Sequence, residues 1–227
     1  MDADELTQTA KQGTSETLTD QVFRKIQMAI VSGEMAPGSK ISEPELVRVY
    51  GVGRGPLREA IHRLEGQKLV ERTAHVGARV VSLSNQQLLE LYQIRENLEG
   101  LACRLAAQSI DKQQILNLRE MLYMHAEDPD FKEGKGYYLQ EGHDDFHYCI
   151  SKNCGNKTLE NMLCDELYHV MRMYRIQYSK TPHRAHKALS EHIHILDAIA
   201  EGDAELAELL MRRHIAHSYQ NIEQHLA

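Results

Sequence analysis

Apolar residues follow a helical period along most of this chain and alternate with polar residues only in one short stretch before residue 85. Val22, Ile26 and Ile30 predict a first helix. Ser42 followed by Glu45 forms a capping-box signature for a second. The predicted elements are helices from about 19 to 33, from 43 to 50 and from 54, then β-like runs over about 69–73 and 78–82. This order of elements is that of a winged helix-turn-helix.

After Ser84 the pattern is helical almost without interruption. The predicted helices run over about 85–108, 112–126, 137–152, 157–178, 183–201 and 204–225. The predicted fold class is therefore mainly α, with an N-terminal winged helix-turn-helix and a C-terminal all-helical bundle. The predicted divisions are a disordered leader over 1–16, a DNA-binding domain over 17–83, and an effector-binding and dimerisation domain over 84–227.

The third helix has the pattern of a helix that enters the major groove of DNA. Leu57, Ile61 and Leu64 form an apolar anchor, while long polar side chains recur every four residues on another face. We expect the hairpin to reach the adjacent backbone or minor groove. The candidate DNA-binding residues are Ser42, Gly53, Arg54, Gly55, Arg58, His62, Arg72, His75 and Gly77. The alternative is an ordinary helical surface carrying a Glu59–Arg63 ion pair.

Charge is distributed unevenly along the chain. The formal net charge is -7, yet residues 17–80 carry ten Lys and Arg against seven Asp and Glu, and residues 85–227 carry fifteen against twenty-two. This distribution favours a nucleic-acid-binding head on an acidic body. No apolar run has membrane-spanning length, the first residues lack a signal pattern, and the four cysteines lack a disulfide or zinc spacing. We therefore expect a cytoplasmic protein with no membrane partner.

Four of the thirteen histidines are predicted to face the interior of the C-terminal domain. His143 and His147 are four residues apart in the helix predicted over 137–152, so they would share a face. His192 lies on an apolar stripe of its helix, whereas His194 and Glu191 line up on the outer face, and His214 lies on an apolar stripe of the last helix. Buried imidazoles from three helices favour a shared divalent cation. Separately hydrogen-bonded core histidines are the alternative.

The N-terminal motifs resemble the head of the GntR family of bacterial regulators. They include Pro37-Gly38, Ser42-Glu43, the segment "RGPLREA" that starts at Arg54, and Gly77 in the wing. The family's serine before the first arginine is Gly53 here. The resemblance implies that Arg54 and Arg58 contact bases and phosphates.

The C-terminal stretch resembles the FadR C-terminal (FCD) domain of the metal-containing members of that subfamily. The segments that carry the resemblance are "RENLEGLACRLAA", "DDFHYCISKNCGN" and "EHIHILDAIAEGD", with a closing His214. The family's metal ligands are an Asp, a His four residues later, and two further His. Three of them map onto His147, His192 and His214, but the Asp position is His143, which leaves open whether His143 or Asp144 is the fourth ligand.

If His143 is a ligand, the all-nitrogen site favours Zn²⁺, or Ni²⁺, over Mn²⁺ or Mg²⁺. The resemblance also implies an effector cavity near Arg95, with Tyr92 one turn away and Arg172 or Arg175 as a second carboxylate clamp. Salt bridging at the surface or between helices is the alternative for these arginines. A finer resemblance is to GntR regulators of propionate and methylcitrate catabolism.

The predicted function is that of a homodimeric transcription regulator, expected to be a repressor, that binds an inverted-repeat operator in double-stranded DNA. A small carboxylic acid bound at the metal site would control its affinity for the operator. Two alternatives remain open at this point: a metal-dependent phosphohydrolase of all-helical type, suggested by His143-Asp144, and a regulator for which the metal itself is the signal.

Overall fold

The computed structural model describes residues 16–132, 141–178 and 182–226. These residues form eleven helices and one two-stranded antiparallel sheet. The helices are α1 Leu18–Ser32, α2 Glu43–Tyr50, α3 Arg54–Gly66, α4 Asn85–Ser109, α5 Lys112–Glu127, α6 Pro129–Lys132, α7 Phe146–Lys152, α8 Lys157–Glu160, α9 Tyr168–Tyr178, α10 Pro182–Ala200 and α11 Ala204–Leu226. The strands are β1 Val70–Thr73 and β2 Gly77–Val80. The mainly helical fold class and the winged helix-turn-helix are confirmed. The predicted leader, apart from Glu16, lies outside the described residues.

The N-terminal head is built on the apolar stripe of α3. Leu57, Ile61 and Leu64 are fully buried, and α3 packs on α1 through Ile26 and Ile30, which are fully buried too. The strands pair in antiparallel register from Val70↔Val80 to Thr73↔Gly77. The polar face of α3 is thereby turned away from the core, as a DNA-reading helix requires.

The capping box predicted at Ser42 is wrong, although the bounds predicted for α2 are right. Ser42 occupies the N-cap of α2 but makes no side-chain cap hydrogen bond, and Pro44 lies in the first turn. Reciprocal capping boxes occur instead at Thr17, Ser84 and Asp111, each with its partner three residues later. The box at Ser84 begins α4 directly after the segment that leaves the wing.

Two predicted helices of the C-terminal part are interrupted. The helix predicted over 137–152 is wrong over 141–145: Gly142–Asp144 is a 3-10 turn, and α7 begins only at Phe146 because the Asp145 side chain accepts a hydrogen bond from the His147 amide. Its predicted start at 137 lies outside the described residues. The helix predicted over 157–178 is broken into α8, a π-helical turn over Asn161–Glu166, and α9.

Helix α9 joins the two parts of the molecule. The Leu83 amide, in the segment between the wing and α4, donates a hydrogen bond of 2.6 Å to the Tyr174 hydroxyl. The Gln177 side-chain amide donates one of 2.8 Å to the Ile30 carbonyl of α1. The same helix carries Arg172 and Arg175 into the C-terminal core. Among the described residues, no helix combines the length and apolar character needed to cross a bilayer.

Candidate functional site

Three buried histidines meet in the core of the C-terminal part. His147 of α7, His192 of α10 and His214 of α11 each offer one ring nitrogen, and these nitrogens lie within 4.8 Å of one another. The Nε2 atoms of His192 and His214 are 3.2 Å apart. The structure therefore brings together three of the four residues that the sequence predicted as metal ligands.

Two carboxylates, the buried Glu99 and the partly buried Glu191, orient two of these rings. Glu99 Oε2 lies 2.5 Å from His147 Nδ1, and Glu191 Oε2 lies 2.7 Å from His214 Nδ1. Because an ionised carboxylate can only accept, Nδ1 must carry the proton in both rings, and Nε2 is left with a lone pair. This arrangement of carboxylate, histidine and open ring nitrogen is the usual support of a metal ligand.

Burial keeps the three imidazoles neutral. It lowers the pKa of His147, lowers the pKa of His192 far below its ordinary value, and lowers the pKa of His214 to about 3. For Glu99 burial acts in the opposite direction, but the neighbouring Arg95 and His147 hold the pKa of its carboxyl below its usual range. Neutral imidazoles beside ionised carboxylates are the protonation states in which a divalent cation is bound.

The fourth predicted ligand does not join the other three. His143 is exposed in the 3-10 turn and lines a separate cleft against α5, with Cys149 and Asn153 among its neighbours. Because α7 begins after His143, the shared helical face predicted for His143 and His147 is wrong. Asp144 and Asp145 instead line the histidine cavity, and Asp145 is already engaged by Tyr168 and Arg175. Three converging imidazoles suit Zn²⁺, so the residues present fit such an ion.

The predicted effector arginines lie together in the C-terminal part, with Arg95 and Arg172 buried and Arg175 partly buried. Arg95, Arg172 and Arg175 line a cavity of about 10 Å³ that shares His147 and Arg175 with the histidine cavity of about 20 Å³. Each arginine also pairs with a carboxylate, of Glu99, Glu141 and Asp145 respectively. Each of the three arginines therefore forms a salt bridge and also lines a cavity.

Two donor groups at these cavities have no acceptor. Arg95 Nη1 and Arg175 Nε are buried without a hydrogen-bond partner among the described residues. A buried donor left unpaired is costly, so these atoms indicate an acceptor from outside the described residues. Tyr92 is buried with its ring centroid 5.2 Å from the Arg95 guanidinium, but it lines a neighbouring cleft between α4 and α11 and neither of the two cavities.

Polar side chains predicted to contact DNA lie on the surface of the head. Arg54, Arg58 and His62 are exposed along α3, and Arg72 and His75 are exposed on the hairpin. Gly53 is the N-cap of α3 and Gly55 is exposed in its first turn; Ser42 is partly exposed at the start of α2. Gly77 has φ +98°, in the left-handed region that glycine adopts without strain. Glu43 lies 2.9 Å from Arg58 and 4.0 Å from Arg72, which places α3 and the hairpin on one face.

Sequence reasoning missed Glu99 and misplaced Glu191. The four-residue spacing of Arg95 and Glu99 on α4 was a readable signal for a paired, buried carboxylate. Glu191 was predicted to face outward with His194, but it is partly buried between α10 and α11 and accepts from His214, His217 and Arg184. Its role depends on how α11 crosses α10, which a single helix pattern does not contain.

Glu191→Gln should weaken Zn²⁺ binding by roughly 10–100-fold, because the ring of His214 loses the charged acceptor that fixes its tautomer. Competition titration against a chromophoric zinc chelator measures the effect. Glu201→Gln, an exposed carboxylate beyond the end of the same helix, is the matched control and should bind as the wild type does. An unchanged zinc affinity in Glu191→Gln would contradict the orienting role.

Comparisons with known proteins agree on one family. A model of the bacterial regulatory proteins of the gntR family matches residues 18–80, and a model of the FCD domain matches residues 90–217. The "Probable D-xylose utilization operon transcriptional repressor" of Paenarthrobacter nicotinovorans is 31% identical over 210 residues, which cover 92% of this chain and 90% of that relative. The "HTH-type transcriptional repressor GlaR" of Escherichia coli is 28% identical over 217 residues, covering 90% and 96%. The solved structure of E. coli McbR/YncC, 19% identical, covers 93% of this chain and 99% of its own with a TM-score of 0.71, so the fold is shared.

Proposed function

This chain belongs to the gntR family of bacterial regulatory proteins and carries an FCD domain, and from that premise we propose a repressor whose hold on its operator is set by a small carboxylate bound beside a divalent cation. The chain is a DNA-binding transcriptional regulator, as its family and its relatives are. Membership in a family of regulators disfavours the phosphohydrolase alternative. We expect the protein to act in the bacterial cytoplasm, where an operator lies.

The exposed arginines of the head support the DNA-binding part of the proposal. Arg54 and Arg58 lie on the free face of α3, with Arg72 on the neighbouring hairpin. Guanidinium groups in such positions can bond guanine edges and phosphates. A homodimer would present two such faces to the two halves of an inverted repeat, one turn of DNA apart.

The observation that carries the effector part is the meeting of lone-pair imidazoles and unpaired arginine donors in one buried place. His147, His192 and His214 would hold the ion, with Asp144 as the fourth ligand, and Zn²⁺ or Ni²⁺ suits this donor set. A divalent cation held there would supply positive charge that attracts a carboxylate. Arg95 Nη1 and Arg175 Nε would donate to the oxygens of that carboxylate.

The size of the cavities and the position of α9 shape the rest of the proposal. Cavities of about 20 and 10 Å³ hold little more than an ion and water, so the effector is a small acid or its entry moves the lining. Helix α9 contributes Arg172 and Arg175 to the lining and contacts the head through Gln177. Binding that favours one position of α9 would therefore favour one position of the head.

A thermal-shift screen of the full-length, zinc-loaded protein tests this function. The probes are small mono-, di- and tricarboxylic acids, propionate and 2-methylcitrate among them, with the corresponding amides as controls. One class of acid should raise the melting temperature and change the retardation of a duplex selected by the protein from random DNA, while its amides should do neither. If no acid shifts the melting temperature, the carboxylate proposal fails. If zinc alone switches DNA binding, the metal-sensor alternative replaces it.

A further inference from the structure

Two arginines on the proposed DNA face, Arg58 and Arg72, are each held by a carboxylate through their Nε atom. Arg58 Nε donates to Glu43 Oε2 over 2.9 Å, and Arg72 Nε donates to Glu65 Oε1 over 2.7 Å. Glu43 Oε1 lies 4.0 Å from Arg72 Nη1. The pairs therefore connect the first turn of α2, the middle of α3 and strand β1 in one charged network.

The two hydrogen bonds use Nε, so the terminal nitrogens of Arg58 and Arg72 form no hydrogen bond with the described residues, and of these nitrogens only Arg72 Nη1 has a carboxylate near it, Glu43 at 4.0 Å. A guanidinium has an edge formed by its two terminal nitrogens, and that edge matches the O6 and N7 acceptors of guanine or two oxygens of a phosphate. Nε is not one of these two nitrogens and takes no part in that fork. Arg58 and Arg72 remain 65% and 47% exposed, whereas Glu43 and Glu65 are only 26% and 23% exposed. The carboxylates thus lie beneath the arginines.

Carboxylates at such a surface work against binding to the DNA backbone. Glu43 and Glu65 partly cancel the charge of the arginines above them, and they repel phosphates. That repulsion weakens binding to every sequence alike, because all DNA carries the same phosphates. This loss of affinity is useful only if the arginines bind one base more favourably than another.

We propose that Glu43 and Glu65 are specificity-determining positioning residues, which aim Arg58 and Arg72 at base edges and oppose their use on phosphates. Glu65 Oε2 also lies 3.6 Å from His62 Nδ1, so a third candidate reading residue belongs to the same network. This inference rests on the proposed DNA face and adds to it the residues that set its selectivity. Neither carboxylate contacts DNA in this proposal; each acts through an arginine.

The test compares Glu43→Gln with Glu45→Gln in the full-length protein. Both residues are acidic positions in the first turn of α2, but Glu45 is exposed and forms no ion pair with the described residues. Loss of charge and of helix-dipole stabilisation is therefore matched. The probes are the duplex that wild-type protein enriches from a random library and a scrambled duplex of the same composition, at one salt concentration.

The ratio of affinities for the enriched and the scrambled duplex should fall about tenfold in Glu43→Gln and stay at the wild-type value in Glu45→Gln. Binding to the scrambled duplex itself should become tighter in Glu43→Gln. In an Arg58→Lys background, which has no fork to aim, Glu43→Gln should leave the ratio unchanged. Glu65→Gln should lower the ratio independently, through Arg72.

Four results would overturn the inference. Tighter binding of both duplexes by the same factor would make Glu43 a repelling charge only, and weaker binding of both by the same factor would make it a structural residue. An unchanged ratio in Glu43→Gln and Glu65→Gln would show that the arginines need no aiming. Wild-type protein that enriches no sequence would overturn the proposed DNA face itself, and this inference with it.

Discussion

His214→Ala is expected to abolish tight Zn²⁺ binding and the stabilisation that comes with it. The variant removes one of three converging imidazoles, and it frees Glu191 from the ring that it orients. In the wild type, zinc at 100 times its Kd should raise the free energy of unfolding by about 2.7 kcal/mol, and in the variant the same zinc concentration should add almost nothing. Metal analysis after dialysis and melting temperatures with and without zinc measure both effects.

His194→Ala is the control for the metal experiment. His194 is exposed on α10, two residues from His192, so its removal leaves the three-histidine cluster intact. It should retain one ion per chain and the full zinc-dependent rise in melting temperature. Each variant is compared with itself in the absence of metal, because truncating the buried His214 also lowers stability through lost packing. An equal zinc-dependent rise in wild type and His214→Ala would disprove the metal site.

Arg54→Ala and Arg58→Ala are expected to weaken DNA binding in different ways. Arg54, in the first turn of α3, forms no ion pair with the described residues and should contact phosphate. Its loss should therefore weaken binding to all sequences alike and make the salt slope shallower by about 0.9. Arg58, held by Glu43, should read a base, so its loss should cost roughly 1–3 kcal/mol on the enriched duplex and little on a scrambled one. Fluorescence anisotropy over a salt series separates the two effects.

Arg119→Ala serves as the reference for the DNA experiment. Arg119 is an exposed arginine of α5 that pairs with Asp197 of α10, remote in sequence from the head. It lowers the net charge by the same amount and should leave the salt slope and the sequence preference unchanged. Equal losses in Arg119→Ala and Arg58→Ala would mean that only overall charge matters, and the α3 face would lose its assignment.

The spacing of apolar residues within single helices predicted which side chains of those helices are buried. The stripe of Leu57, Ile61 and Leu64 predicted both the burial and the exposed face of α3. The apolar stripes around His192 and His214 predicted that both rings point inward. In these cases one helix face is enough to decide whether a side chain is buried.

The same spacing could not predict which elements touch one another. It also could not predict the residue at which a helix begins when a side chain caps it. The shared face of His143 and His147 depended on an unbroken helix, but the Asp145 side chain bonds the His147 amide and begins α7 at Phe146. The bond from Glu191 to His214 depends on the packing of α10 against α11. Periodicity shows which residues face the core, and it does not show which of them meet there.

The attachment of α9 limits how a signal can leave the buried site. Helix α9 carries Arg172 and Arg175, which line the cavity. It also carries Tyr174, hydrogen-bonded to the Leu83 amide, and Gln177, hydrogen-bonded to the Ile30 carbonyl. A shift of α9 that lengthens these two bonds by about 1 Å would take them past the range in which hydrogen bonds hold. In the proposed mechanism, an effector that displaces α9 would therefore act on the head directly through these two hydrogen bonds, with no chain of intermediate side chains.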